Sequence, residues 1–315
     1  MYKYIIRRIL LLFPTIILAG SICFFLLRVL PGDIVTVLNA DGGARPADLE
    51  KLREELGFND PVIVQYGRWL FQAVQGDLGY SVLRDQQVSD LLLDKLETTI
   101  TMAILAMLVS LVVAIPAGMI SAVKRGSRTD EAIRILTAIF LAAPPFWVGM
   151  IIIWFVSFYI GWSPPIFYAA IYEDPVRNLT LMALPILSIS LSSAAVISRL
   201  MRSMMLEVLY QDYVRTARAK GLVEYRVVVQ HAARNALIPV LTMSGFHFGA
   251  ILGGVVVIEQ VFNLPGLGRM LLLSVFGRDV QMILGIVVAL TLILSVWILI
   301  IDLVYSLVDP RIRYQ

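Results

Sequence analysis

The sequence predicts an all-α integral membrane protein with six transmembrane helices. Of its 315 residues, 59% are hydrophobic and only 16% are charged, whereas a soluble domain carries about 25% charged residues. Six stretches contain no Asp, Glu, Lys or Arg, and each is long enough to cross the roughly 30 Å hydrocarbon core of a bilayer as a helix. These stretches are Ile9–Leu27, Thr98–Val123, Ile135–Ile160, Leu179–Ser198, Asn235–Ile258 and Val280–Ile301.

The first stretch is interpreted as an uncleaved membrane anchor. It follows basic residues, as a signal peptide does, but a signal peptide has an apolar region of only about 7–15 residues. Lys and Arg are concentrated in the segments before span one, between spans two and three, between spans four and five, and after span six. Because cytoplasmic loops carry an excess of Lys and Arg, both termini are expected in the cytoplasm.

The predicted organisation has three parts. Residues 1–97 form span one and a small extracytoplasmic cap, with helices expected over 47–56, 62–74 and 88–96 and a turn over 76–81. Residues 98–306 form a five-helix core, which includes a long cytoplasmic loop at about 199–234. Residues 307–315 form a cytoplasmic tail. Arg269, Arg278 and Asp279 fall outside the membrane, where they are candidates for a docking surface or for ordinary solvated loop charges.

The cytoplasmic loop has a helical pattern of apolar residues beside basic ones. Gly221 separates two helical stretches, and glycine is the usual residue where a helix ends with a positive φ. A break there lets a short helix turn across the membrane plane. The apolar positions expected to share one side of this loop are Val208, Leu209, Tyr213, Ala217, Leu222 and Val223.

Span five contains a row of small residues and one ionisable residue. Gly245, Gly249 and Gly253 recur every four residues, and small residues at this spacing allow close helix packing in lipid. The row predicts either static packing or a gating contact between two halves of a pore. His247 lies in the middle of the same span. It is interpreted as a packing residue or as part of a substrate path, because intramembrane ionisable residues usually face a bundle interior or a wet cavity.

Several functions are disfavoured by the sequence. A net charge of +3 gives no indication of nucleic-acid binding, and the one cysteine, Cys23, with two distant histidines predicts no metal site. The phosphate-binding pattern G-x-x-x-x-G-K-[ST] does not occur, so the chain is expected to lack an ATPase site. A secondary transporter driven by an ion gradient remains the main alternative, although the spans contain no acidic residue at the midplane. A membrane-embedded enzyme is a further alternative, for which no suitable set of catalytic residues is found.

The loop Gln211–Leu222 resembles the conserved cytoplasmic loop of the permeases of ATP-binding-cassette (ABC) importers. In that family Glu-Ala-Ala is followed by three residues and then Gly, and here Arg215-Thr216-Ala217 precedes Gly221 at that spacing. The Glu is absent and Pro239 lies further on, as in the peptide permease branch. Further segments along the chain resemble the first permease subunit of dipeptide and oligopeptide importers. They are Arg7-Arg8, Leu30 to Asp33, Gln65-Tyr66, Gly76 to Gly79, Glu259 to Phe262, Pro265 to Gly268, Arg278-Asp279, and Asp302 with Asp309 to Arg311.

The resemblance implies a type I ABC importer permease fold in a bacterial inner membrane and the transport of di- or oligopeptides or a related small solute. It implies a second, homologous permease subunit, two ABC ATPase subunits that bind ATP and Mg²⁺, and an extracytoplasmic solute-binding protein. It also implies that the cytoplasmic loop is a coupling helix in contact with an ATPase. The residues expected to make that coupling are Tyr213, Arg215, Thr216, Ala217, Arg218 and Gly221.

Overall fold

The computed structural model describes residues 2–29, 50–51, 53–54, 57–165 and 167–308, and these residues are mostly helical. The expected cap segment before residue 50 and the C-terminal tail from residue 309 lie outside the described residues. One short antiparallel hairpin pairs β1 (Tyr80–Ser81) with β2 (Gln86–Gln87). The helices are α1 (Tyr2–Val29), α2 (Val62–Val74), α3 (Val88–Val123), α4 (Arg128–Ala142), α5 (Pro145–Phe155), α6 (Pro175–Leu209), α7 (Asp212–Ala219), α8 (Glu224–Val261), α9 (Leu267–Phe276) and α10 (Val280–Val308).

The predicted spans correspond to helices. By length and composition, α1, α3, α6, α8 and α10 can each cross a membrane, and α4 with α5 supplies a sixth span if the pair is counted as one. The all-α membrane fold is therefore confirmed. The expected end of span three is also confirmed, since a π-helical turn over Val156–Ile160 is followed by Gly161 with a φ of +68°.

The prediction that residues 135–160 form a single continuous helix is wrong. Helices α4 and α5 meet at a bend of 107°. Ala143 and Pro144 both have extended backbones, with ψ near 128° and 139°. Each of them precedes a proline, and the proline ring disfavours the helical region for the residue before it. Two consecutive extended residues end one helix and begin another in a new direction.

The chain divides into two compact units, and the first comprises residues 1–99 and 265–296. Its larger apolar cluster joins the start of α3 to α9 and α10, with Val88, Leu267 and Met282 fully buried. A second cluster holds Phe24 of α1, Trp69 of α2 and Leu284 of α10. Helix α2 therefore packs on two membrane spans.

Asp279 stabilises the hairpin in this unit and is buried, which excludes it as a solvated or docking charge. Its carboxylate accepts hydrogen bonds from Ser81 Oγ and from the backbone N–H of Met282 at 3.1 Å. Arg84 Nη1 lies 3.4 Å from the same carboxylate. The side chain caps the first turn of α10 and holds the hairpin against it, as an Asp at an N-cap commonly does.

The second unit comprises residues 100–264 and 297–315, and α6 packs against α4, α5 and α8 within it. Small residues bring these helices close. Ser190 Oγ donates to the carbonyl of Ala106 on α3 at 3.1 Å, and Gly118 of α3 lies directly against Met201. This is the close, small-residue packing expected of membrane helices.

Candidate coupling segment and its supports

The candidate coupling segment, residues 211–222, is a short helix set between two long ones. Gln211 has an extended backbone that separates α6 from α7. At the other end Gly221 has a φ of +78°, and the N–H of Leu222 donates to the carbonyl of Ala217 at 3.4 Å. This is the glycine-ended helix stop predicted from the sequence. Helix α8 then begins at Glu224.

One side of α7 anchors it to the helices on either side. Val214 and Ala217 are buried with Val227 of α8, and Val208, Leu209 and Leu222 pack around them. The prediction that Val208, Leu209, Ala217 and Leu222 share one side is confirmed.

The prediction that Tyr213 and Val223 share this side is wrong, because both side chains are exposed and lie outside the apolar cluster. The breaks at Gln211 and Gly221 reset the helical phase, so the 3.6-residue period of one helix does not continue into the next. Val214, rather than Tyr213, lies on the side of α7 that carries Ala217.

The opposite side of α7 carries exposed polar and charged groups. Arg215 pairs with Asp212 at 3.3 Å, but both side chains are well exposed, so the pair adds little stability. Arg218 donates two hydrogen bonds to Glu224, at 2.8 and 3.1 Å, which connect α7 to the start of α8. These bonds raise the pKa of the Arg218 guanidinium above its ordinary value. Thr216 donates to the carbonyl of Asp212 within the helix.

Three exposed tyrosines lie in α7 or within a few residues of its ends, and two of them were not singled out from the sequence. Tyr210 and Tyr225 are about 70% exposed, and Tyr213 lies between them in sequence. The Tyr213 hydroxyl accepts a hydrogen bond from Asn235 Nδ2 at 2.7 Å, which holds the ring beside α8. Exposed Tyr and Arg side chains are the residue types enriched in protein interfaces. The closeness of these Tyr and Arg residues in the sequence is the pattern from which an interface at α7 could have been predicted.

A buried ion pair supports α6 about two turns before that helix ends at Leu209. Arg202 donates to both oxygens of Asp130, each at 2.9 Å, and Asp130 is only 2% exposed. Ser121 Oγ and the N–H of Gly126 donate to the same carboxylate at 2.6 and 3.0 Å. The pair therefore fastens the α3–α4 connection to α6. Sequence reasoning treated Arg202 only as a cytoplasmic charge and did not single out Asp130.

The three glycines of the row in α8 differ in their burial. Gly245 is buried, and a Cβ built there would lie 2.7 Å from Ile301 of α10. Trp297 Nε1 donates to the Gly245 carbonyl at 3.2 Å and its ring stacks on Phe248. Gly249 is half-buried, whereas Gly253 is exposed with open space around it. Gly245 therefore packs within the chain, while a gating role for the row and a contact of Gly253 with another subunit stay predictions.

His247 is half-buried on the same helix, between Gly245 and Gly249. Its assignment to a substrate path stays a prediction. Among the described residues no group of three or more His, Cys, Asp or Glu side chains is placed to hold a metal ion.

The fold is that of a multi-pass membrane protein. Residues 114–314 match the family described as the binding-protein-dependent transport system inner membrane component, and residues 1–103 match the family's N-terminal model. The chain belongs to this family. This membership favours a binding-protein-dependent importer over the alternative of a transporter driven by an ion gradient.

Two relatives are similar over their whole lengths. A Brucella abortus protein named as a peptide transport system permease is 38% identical over 315 residues, covering all of both chains. The oligopeptide transport system permease protein AppB of Bacillus subtilis is 38% identical over 320 residues, again covering all of both.

Solved structures support the fold. A crystal structure of the MetNI methionine ABC transporter matches 70% of this chain and 96% of its own with a TM-score of 0.57, at 16% identity. An amino acid ABC transporter matches 71% and 94% with a TM-score of 0.50, at 15% identity.

Proposed function

We propose that this chain is one pore-forming permease subunit of an ATP-driven importer of di- or oligopeptides or a related small solute. The peptide class rests on the names of the full-length relatives. The chain pairs with a second, homologous permease in the bacterial inner membrane. Two separate ATPase subunits bind ATP and Mg²⁺, and this chain has no cofactor of its own. A solute-binding protein delivers the substrate from outside.

The observation that carries the proposal is the construction of α7. Val214 and Ala217 fix one side of the helix to α6 and α8, while Arg215 and the Tyr213 ring face outward. A short, anchored helix with an exposed polar face can fit a cleft on an ATPase and transmit that protein's movement to the two long helices beside it. Gly221 allows the chain to turn back without strain.

The buried Asp130–Arg202 pair allows this movement to reach further helices. Because α6 is fastened to the α3–α4 connection, a displacement of α7 moves α6 together with the start of the broken span. Closure of the ATPases on ATP would in this way alternate the pore between inward- and outward-facing forms.

The test is a charge reversal on the exposed face, Arg215→Glu. We expect the variant chain to fold normally, since Arg215 has no buried contact, and to bind its ATPase at least tenfold more weakly, about 1.4 kcal/mol, because like charges then meet at the interface. ATPase retention and peptide uptake are measured with the purified complex in vesicles.

Arg128→Glu is the matched control, since Arg128 is an exposed arginine on another predicted cytoplasmic segment. Equal ATPase retention and uptake by Arg215→Glu and wild type would show that α7 is not the coupling helix. If Arg215→Glu weakens ATPase retention but the wild-type complex takes up no peptide, α7 would still be the coupling helix and the peptide assignment would be wrong.

A further inference from the structure

Helix α2 carries large apolar side chains on its exposed side. Ile63, Phe71 and Val74 are each about 70% exposed. The buried side instead includes Gln65, whose Nε2 donates to the carbonyls of Phe58 and Asp60 at 3.3 and 2.7 Å. Exposed aliphatic and aromatic side chains along one helix face indicate an apolar environment on that side.

The depth of α2 follows from its contacts with two predicted spans. The ring of Trp69 lies directly against Gly20 of α1 and packs with Leu284 and Val288 of α10. At 1.5 Å per residue, Gly20 is about 10 Å inside the end of span one at Leu27, and Val288 is about 12 Å inside the start of span six. The helix carrying Trp69 therefore lies within reach of the hydrocarbon rather than above it.

The apolar face of α2 is continuous with the exposed surface of α1. The rings of Tyr66 and Phe25 are 5.1 Å apart, and Ser21 Oγ and Tyr66 OH are 2.8 Å apart. Beyond this contact Ile22 and Leu26 of α1 are exposed. Since α1 is a predicted membrane span, this surface is bounded by lipid tails.

Charged groups lie at the level where the headgroups are expected. Arg28, one residue past span one, stacks over the rings of Phe24 and Phe58 at 5.0 and 5.5 Å. Arg68, in the middle of α2, pairs at 2.6 Å with Asp60, which lies just before the helix, and both side chains are partly exposed. Basic side chains commonly reach the headgroups from the edge of the hydrocarbon in this way.

We infer that α2 is an interfacial helix, embedded by its Ile63, Phe71 and Val74 face in the acyl chains of the lipid leaflet at that end of α1. In the proposed orientation this is the outer leaflet. The segment expected to be an extracytoplasmic cap is then partly a membrane anchor, like other amphipathic helices that lie in the bilayer surface. The inference does not depend on what the protein transports.

The test uses fluorescent labels at single cysteines in the complete transporter, reconstituted in nanodiscs with cysteine-free partner subunits. Phe71→Cys and Val74→Cys are made in a Cys23→Ala background and labelled with an environment-sensitive dye. Leu26→Cys on α1 is the lipid-facing control, and Gln86→Cys, an exposed residue of β2, is the aqueous control. Doxyl-labelled phospholipids and aqueous iodide serve as the two quenchers.

We expect residues 71 and 74 to behave like residue 26, with blue-shifted emission and quenching by the doxyl lipids. Residue 86 should be quenched by iodide. Quenching of residues 71 and 74 by iodide alone would place α2 in water and overturn the inference. Quenching by neither agent would show that a partner subunit covers this face, which would also overturn it.

Discussion

Gly221 and Gly126 both have a φ of +78° with open space where a Cβ would lie. Replacement by valine at either position therefore costs backbone strain of about 1–2 kcal/mol, without a steric clash. We expect Gly221→Val to reduce ATPase retention and uptake, because the strain falls where α7 turns into α8. Both activities are measured with purified variant complexes.

Gly126→Val provides a control with the same backbone strain in the α3–α4 connection. It should lower stability at least as much, because the N–H of Gly126 also donates to Asp130, and leave ATPase retention close to wild type. Equal losses of retention in the two variants would mean that general destabilisation, rather than the position of α7, explains the effect.

At the scale of elements, the Asp130–Arg202 pair joins α4 to α6. Asp130→Ala leaves the Arg202 guanidinium, which is 24% exposed, without its carboxylate. We expect a loss of roughly 3 kcal/mol in the free energy of unfolding, at the low end for a broken buried pair since Arg202 retains some access to water. Chemical unfolding in detergent measures the loss.

Ser121→Ala calibrates that measurement. It removes the hydrogen bond that Ser121 donates to Asp130 and the one that it accepts from Arg202, and it leaves the ion pair, so a loss of about 1.5–2 kcal/mol is expected. If Asp130→Ala proved no more destabilising than Ser121→Ala, the pair would not fasten α4 to α6 as described.

The glycine row of α8 makes a second prediction at this scale. Gly245→Leu should destabilise the isolated chain, because its side chain would meet Ile301 of α10. Gly253→Leu should leave the isolated chain stable, since the site is open, and should reduce assembly with the second permease if that subunit packs there. Thermal unfolding of the chain and co-purification of the two permeases separate these effects. Normal assembly and uptake of Gly253→Leu would remove Gly253 from the predicted contact.

At the scale of the whole molecule, the orientation rests on the distribution of Lys and Arg. In a Cys23→Ala background, a cysteine at Lys124 or Lys220 should react with an impermeant thiol reagent only from the cytoplasm. A cysteine at Gln86 should react only from outside. Labelling in intact cells and in inverted vesicles measures both. Reaction of the Lys220 site from outside would reverse the proposed topology.

The sequence by itself determined most of the spans and the glycine-ended turn of the candidate coupling segment. Hydrophobicity over about 20 residues and a glycine are local properties, so α3, α6, α8, α10 and the turn at Gly221 could be predicted, whereas the sharp break between α4 and α5 was not. The inward side of α7 could not, because each break resets the helical phase and the neighbouring helices select Val214 over Tyr213.

Only the tertiary structure decided which distant groups meet. Arg202 and Asp130 are 72 residues apart, and Ser81 and Asp279 are 198 residues apart. Pairing over such separations depends on how whole helices pack, which no local pattern records. The amphipathic pattern of α2 likewise predicted a helix but could not predict which of its faces is inward, because that depends on the helices packed against it. Contacts with Gly20 and Leu284 turn Trp69 inward and leave Phe71 outside.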